Sequence, residues 1–179
     1  MFHNNNSFSG IDQLTGKLKQ EDQKYSRLSK GFQIVYWVFA FFYLIMLILH
    51  FTVDVVPFSD KISGGFCFIA MVIFALFFRN YYQEYKNVDY SLPTLIMLKK
   101  AAYRYQPFQL KTVWIFLAII FLNAGLSFGT VNRADLIGVQ VVFWALMGLA
   151  IGIGLVRWYY KYKPLRDAAL RMIKEIEEQ

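Results

Sequence analysis

His50 and Asp54 stand four residues apart near the end of an apolar stretch, so a helix would place an imidazole and a carboxylate on one face. Such a pair is half of a metal site. With a hydroxyl from Ser59 or Ser63 it would be the start of a Ser-His-acid site acting on lipid. No second histidine lies close in sequence, since His3 is the only other one, and an ordinary interfacial pair is the plainer reading. Asn123, Ser127 and Gln140 are the deepest strong polar residues within apolar stretches. Polar groups in hydrocarbon either line a path for ions or solutes or hydrogen-bond neighbouring helices. No ionisable residue lies near the middle of any apolar stretch, which disfavours a proton-coupled transporter and leaves intramembrane polar packing as the expected role. The single cysteine, Cys67, cannot form an intramolecular disulfide and is expected to pack as a small apolar residue. Glycine-rich phosphate loops, CxxC pairs and HExxH are absent, so the sequence offers no catalytic residue, no metal ligands and no cofactor.

The elements that carry these residues are set by hydropathy. The chain has 179 residues, 57% of them hydrophobic and 19% aromatic, with a mean hydropathy of +0.37. Crossing about 30 Å of hydrocarbon takes about 20 helical residues. Residues 32–52, 62–78, 112–128 and 136–156 are runs of that order, and the first has no charge. A chain in lipid must satisfy its own backbone hydrogen bonds, and the alternation of barrel strands is missing, so helices are expected. The expected fold is all-α: a polytopic four-helix membrane bundle with amphipathic helices outside it.

Charge orients the bundle. Of nineteen Lys and Arg residues, all but Lys61 and Arg133 fall in the N-terminal arm, the central segment and the tail, and these alternate with the two short loops. The loops also carry Asp54, Asp60 and Asp135. This positive-inside bias places both termini in the cytoplasm, and a bacterial inner membrane is the expected location. The net charge of +7 is divided among segments flanking the spans rather than gathered on one face, so no nucleic-acid partner is expected. The first apolar run follows some thirty mostly polar residues and reads as a retained anchor rather than a cleaved signal.

Along the chain, residues 1–8 read as a disordered tip and residues 9–31 as an amphipathic helix. Ser9 would cap it, and Ile11, Leu14, Leu18, Tyr25, Leu28 and Phe32 would form its apolar stripe, with a bend expected at Gly31. Residues 32–160 hold the four spans, with a cytoplasmic helical segment at 79–111. There Pro93 suits a first helical turn, Leu95, Leu98, Ala102 and Tyr105 form the apolar stripe, and Lys99, Lys100 and Arg104 the polar side. Residues 161–179 form a second terminal amphipathic helix, starting at Pro164 and burying Leu165, Ala169, Met172, Ile173 and Ile176. Asp167–Arg171, Arg171–Glu175 and Lys174–Glu178 have the spacing to support it. The three amphipathic helices are expected to pack together.

Two further patterns concern the bundle. Phe32-Gln33-Ile34 and Trp37-Val38-Phe39 enter the first span, and Phe108-Gln109-Leu110 and Trp114-Ile115-Phe116 the third. Arg79-Asn80-Tyr81-Tyr82 leaves the second span as Arg157-Trp158-Tyr159-Tyr160 leaves the fourth, which points to two repeated hairpins in parallel. Gly125-x-x-x-Gly129 and Gly148-x-x-x-Gly152, with Ala150 and Gly154 one register on, let helices approach closely, and both are expected to pack inside the bundle.

The central run from Tyr82 through Tyr85, Lys86, Asp89 and Tyr90 to Pro93, with Leu98-Lys99-Lys100 and Arg104-Tyr105, resembles small bacterial four-span membrane proteins often encoded beside extracytoplasmic-function sigma factors. The resemblance implies a regulatory or accessory role without assigned catalysis and transfers no functional residue. From the residues themselves, the expected function is a non-enzymatic membrane scaffold or regulator that meets a cytoplasmic or membrane protein partner on its inner side. Contact with partner or lipid is assigned to Tyr81, Tyr82, Tyr85, Lys99, Lys100, Arg104, Trp158, Tyr159 and Tyr160, because aromatic rings and cations gather at headgroup level. The alternatives are a small channel or transporter, which a homo-oligomer would suit, and a membrane enzyme on lipid using His50 and Asp54.

Overall fold

Backbone groups that must be satisfied within apolar surroundings leave the helix as the economical solution, and the described residues contain helices and no strand. The computed structural model describes residues 5–53, 55–130 and 133–178. Helix α1 is Asn5–Thr52, α2 Phe58–Lys86, α3 Thr94–Arg104, α4 Val113–Phe128, α5 Arg133–Arg157 and α6 Lys163–Glu177. A 3₁₀ turn, Leu110–Thr112, leads into α4, and a π-helical turn, Trp158–Tyr162, joins α5 to α6. Helices in all four apolar regions are long and apolar enough to cross a membrane.

Two boundaries differ from expectation. The first helix starts at Asn5, ahead of Ser9, and runs as one 48-residue element through Gly31. A glycine inside a helix costs only about 1 kcal/mol against alanine, and here the helical hydrogen bonds on either side carry the chain across without a break. Residues 1–4 lie outside those described.

The helical segments fall into two compact units. One comprises Leu28–Tyr82 and Gln109–Ala150 and contains most of the apolar surface. In it α2 is central: a third of its apolar window is buried, against 6% in α1 and 11% in α4. Small residues mark the contacts, with Ala40, Ala70, Ala75 and Ala118 at or near zero exposure. Tyr36 stacks on Phe74 at 4.9 Å and on Phe78 at 5.4 Å, seating α1 on α2. Much of the remaining surface is large and apolar, including Val38 at 62%, Phe41 at 65% and Val141 at 64% exposure. Water would not tolerate so continuous an apolar exterior; this is an integral membrane protein, an all-α bundle of four spanning helices.

The Gly-x-x-x-Gly pairs divide. A Cβ on Gly125 would lie 2.6 Å from Cys67 Sγ and 3.1 Å from the Ser63 carbonyl, and one on Gly129 2.8 Å from Ser63 Oγ. This pair packs inside the bundle, against α2. Gly148, Gly152 and Gly154 meet nothing within 4 Å, which corrects the expectation that they too pack inside. The spacing is the same; among the described residues, α4 has a helix seated on its glycine face and α5 does not.

The second unit gathers the described parts of Met1–Arg27, Gln83–Phe108 and Ile151–Gln179. Its apolar core is Leu14 and Leu18 of α1, Met97, Leu98, Ala101 and Ala102 of α3, and Ala169 and Ile173 of α6. The three amphipathic helices therefore pack on one another. In α1 the buried face of this unit continues as Asp22 and Ser26, whereas Leu28 and Phe32, assigned to the apolar stripe, belong to the other unit and are 39% and 41% exposed. In α6, Lys174 meets Glu178 at 3.6 Å, but Asp167 pairs with its neighbour Arg166 instead of Arg171.

Candidate functional site

A carboxylate is costly to bury unless donors surround it, and Asp22 is 1% exposed. It sits one turn past Leu18, on the face of α1 turned towards α3. Three donors converge on it. Arg104, the last residue of α3, gives its Nη2 hydrogens at 2.9 Å to Oδ2. The Tyr90 hydroxyl donates to the same oxygen at 2.5 Å, and the Tyr105 hydroxyl to Oδ1 at 2.5 Å. Thus one side chain of the N-terminal arm is bound by three residues some seventy to eighty positions later. Burial raises the Asp22 carboxyl above its usual range, against the Arg104 charge and the hydrogen bonds from Tyr105, Tyr90 and Arg104, which pull it down. Burial, with Asp22 alongside, pushes both phenols well above theirs, so Tyr90 and Tyr105 remain neutral donors at physiological pH.

A second layer fixes these donors. The Tyr85 hydroxyl donates to the Arg104 carbonyl at 3.2 Å, and the Trp158 indole N–H to the Tyr105 carbonyl at 2.9 Å. Tyr25 packs on Tyr85 at 4.5 Å and edge-on to Tyr162 at 5.8 Å, and Tyr105 stacks on Tyr162 at 5.6 Å. Burial in this cluster pushes the Tyr25 phenol up to about 12. Beside Asp22, Glu21 forms ion pairs with Lys161 of the π-helical turn at 2.8 Å and with Lys24 at 3.3 Å. Burial works to raise the Glu21 carboxyl, but the bonds and charges of Lys161 and Lys24 together bring it below its usual range. The cluster is structural in its chemistry: its hydrogen bonds and ion pairs run between its own side chains and backbone.

Next to it lies an open cleft of about 460 Å³, whose walls include Glu84, Asp89, Lys99, Lys100, Tyr103 and Arg104. Lys99 reaches Glu177 of α6 at 2.7 Å, and Lys100 and Tyr103 are exposed. The Asp89 carboxylate takes the Ser91 amide and hydroxyl at 2.8 and 2.6 Å and closes the turn before α3.

The residues assigned from sequence to partner or lipid contact are therefore dispersed. Tyr85 and Arg104 are buried, Trp158 is half-buried with its indole engaged, and Lys99, Lys100, Tyr159 and Tyr160 are exposed. In the apolar unit, Lys111 sits over the Tyr81 ring at 4.3 Å and Lys30 over that of Tyr82 at 5.9 Å. Asn123, Ser127 and Gln140 come together. The Asn123 amide donates to Gln140 Oε1 at 2.7 Å, the Gln140 amide to Ser127 Oγ at 2.9 Å, and the Ser127 hydroxyl to the Asn123 carbonyl at 2.8 Å. That closed ring ties α4 to α5. His50 Nδ1 is buried with no partner among the described residues, and Asp54 lies outside them, as does the expected pairing of the two. No group of three or more His, Cys, Asp or Glu residues suited to a metal ion occurs among the described residues.

Sequence reasoning missed Asp22, whose partners lie far along the chain. The available signal was its place one turn after Leu18, on the line of Leu14 and Leu18. No protein-family model, curated protein or solved structure matches the chain.

Proposed function

We propose that this protein is a non-enzymatic scaffold or regulator of a bacterial inner membrane, with both termini and the Asp22-centred unit in the cytoplasm. The observation that carries the reading is the convergence of Arg104, Tyr90 and Tyr105 on Asp22, which makes one module from three segments remote in sequence. A rigid helical module bearing an open cleft suits the capture of another protein. Lys100 and Tyr103 in the cleft wall favour a segment with acidic and apolar side chains. The mutual saturation of Asn123, Ser127 and Gln140 supports packing over a solute path.

The sidedness rests on the distribution of Lys and Arg. The duplication into two hairpins rests on matched entry and exit residues, Trp37 with Trp114 and Arg79 with Arg157. The likeness of the central run to proteins encoded beside extracytoplasmic-function sigma factors agrees with a regulatory role. The test is capture from native membranes in nanodiscs, comparing the wild type with Lys100→Glu/Tyr103→Ala. A partner retained by the wild type and lost from the variant, with helical content unchanged, supports the reading. The same set of proteins on both removes the cleft as the partner site.

A further inference from the structure

A second groove, of about 470 Å³, runs along the junction of α5 and α6 and is walled by Tyr159, Tyr160, Lys163, Asp167 and Arg171. It shares no lining residue with the partner cleft. Its charge is unbalanced. Arg166 claims Asp167, through Nε at 3.0 Å and Nη2 at 2.8 Å to the same oxygen, and itself lies over the Trp158 ring at 5.4 Å. With its only acid neutralised, the groove presents the cations of Lys163 and Arg171. Lys163 is held 4.5 Å from the centre of the Tyr159 ring, which places the ammonium without consuming its charge. Arg171 is exposed and stands two turns along α6 on the wall of the same groove. The π-helical turn is closed by the Lys163 amide on the Trp158 carbonyl, and Lys163 and Arg171, eight residues apart, line the same groove.

The groove begins at the end of a membrane span. Tyr159 and Tyr160 are three and four residues past Val156, the last apolar residue of α5, or about 4.5–6 Å at about 1.5 Å per residue. The headgroup layer is about 5–8 Å deep on each side of the hydrocarbon. Both rings are open, Tyr159 at 54% and Tyr160 at 77% exposure, as suits rings lying among headgroups.

We infer that this groove binds the phosphate of an anionic phospholipid, with Lys163 and Arg171 holding the phosphate oxygens and Tyr159 and Tyr160 flanking the glycerol. This goes beyond the partner reading and does not depend on it.

The experiment uses the full chain in mild detergent, offered equal amounts of phosphatidylglycerol and phosphatidylcholine, with retained lipid read by native mass spectrometry. The wild type is expected to retain the anionic lipid preferentially. Lys163→Gln/Arg171→Gln is expected to lower that preference roughly ten-fold or more, at about five-fold per cation near a membrane surface. Lys163→Arg/Arg171→Lys should preserve it, and Lys174→Gln, which removes an exposed cation elsewhere on α6, should leave it unchanged. Equal retention of the two lipids by the wild type would overturn the inference. So would an undiminished preference in the double glutamine variant, or an equal loss in Lys174→Gln, which would mark a diffuse basic surface. Displacement of the lipid by free glycerol phosphate at equal concentration would also overturn it, because the site would then serve a soluble phosphate.

Discussion

Removing the Asp22 carboxylate is the most direct test of what holds the three amphipathic helices together. In Asp22→Ala, Arg104 keeps its charge at 8% exposure and the Tyr105 hydroxyl loses its acceptor in the core. Taking one partner from a buried ion pair costs about 3–5 kcal/mol. At about 1.4 kcal/mol per factor of ten, protection of the α3 amides against hydrogen exchange should fall by roughly 150- to 5,000-fold. Exchange is the right assay because it reads the opening of one region, whereas a single unfolding midpoint is not well defined for a chain with two units. Asp22→Leu combined with Arg104→Met removes both charges, and should recover at least about 2 kcal/mol of the summed single losses. Recovery will be incomplete, since Tyr105 still lacks its acceptor. A loss of protection under ten-fold in Asp22→Ala, or strict additivity in the double variant, would refute the claim that this pair locks the unit.

Three further outcomes follow from the same contacts. Gly125→Ala drives a methyl into Cys67 Sγ and the α2 backbone and should cost about 1–3 kcal/mol in bicelle unfolding, while Gly152→Ala, facing open space, should be neutral. Asn123→Ala breaks a ring of three bonds but should cost only about 0.6 kcal/mol, at most about 1.7, because the opened helices find other partners in lipid; a loss above 3 kcal/mol would mean the ring does more than pack. The lowered Glu21 carboxyl should contribute stability above its unfolded value of 4.5 that fades as pH falls through its folded value. Lys161 is 37% exposed and water screens the pair, so Glu21→Gln should lose about 0.5–1 kcal/mol of α6 protection near neutrality and nothing at pH 3. Asp22 acts in the opposite sense: its raised carboxyl favours the protonated folded form, so its own contribution declines as pH rises from 3.8 through the raised value.

What could be read from the chain followed range of interaction. Spans were legible because length and apolar composition are local properties, and the stripe of α6 because Ala169 and Ile173 repeat at helical spacing. Asp22 was not, because an acid in an amphipathic helix looks the same whether water or Arg104 lies opposite, and Arg104 comes 82 residues later. For the same reason Arg104 read as part of a solvated face with Lys99 and Lys100, two of which are exposed while it is buried. Register was misread in α1. Leu28 and Phe32 continue the apolar stripe by hydrophobicity, yet the amphipathic unit buries Asp22 and Ser26 and ends at Arg27, and those two lie beyond it, partly exposed. In lipid, an outward leucine or phenylalanine carries no penalty, so hydrophobicity stops reporting the interior where the membrane begins.

That same loss of meaning makes sidedness a matter for charge alone, and the chain is well suited to test it. Its single cysteine, Cys67, is 4% exposed and packed at Gly125, so a membrane-impermeant maleimide should leave the wild type almost unlabelled. New cysteines then report without a background to remove. Lys100→Cys lies on the exposed face of α3, and Ser59→Cys follows the loop between the first two spans. With the Lys- and Arg-rich segments inside, Ser59→Cys should label in intact cells and Lys100→Cys only after permeabilisation. The expectation rests on the two short loops, which hold only Lys61 and Arg133 against seventeen basic residues elsewhere. The reverse labelling would put the Asp22 unit outside the cell, beyond the reach of any cytoplasmic partner. Labelling of both in intact cells would break the four-span topology itself, because an even number of crossings separates α3 from the N-terminal arm and an odd number separates both from Ser59.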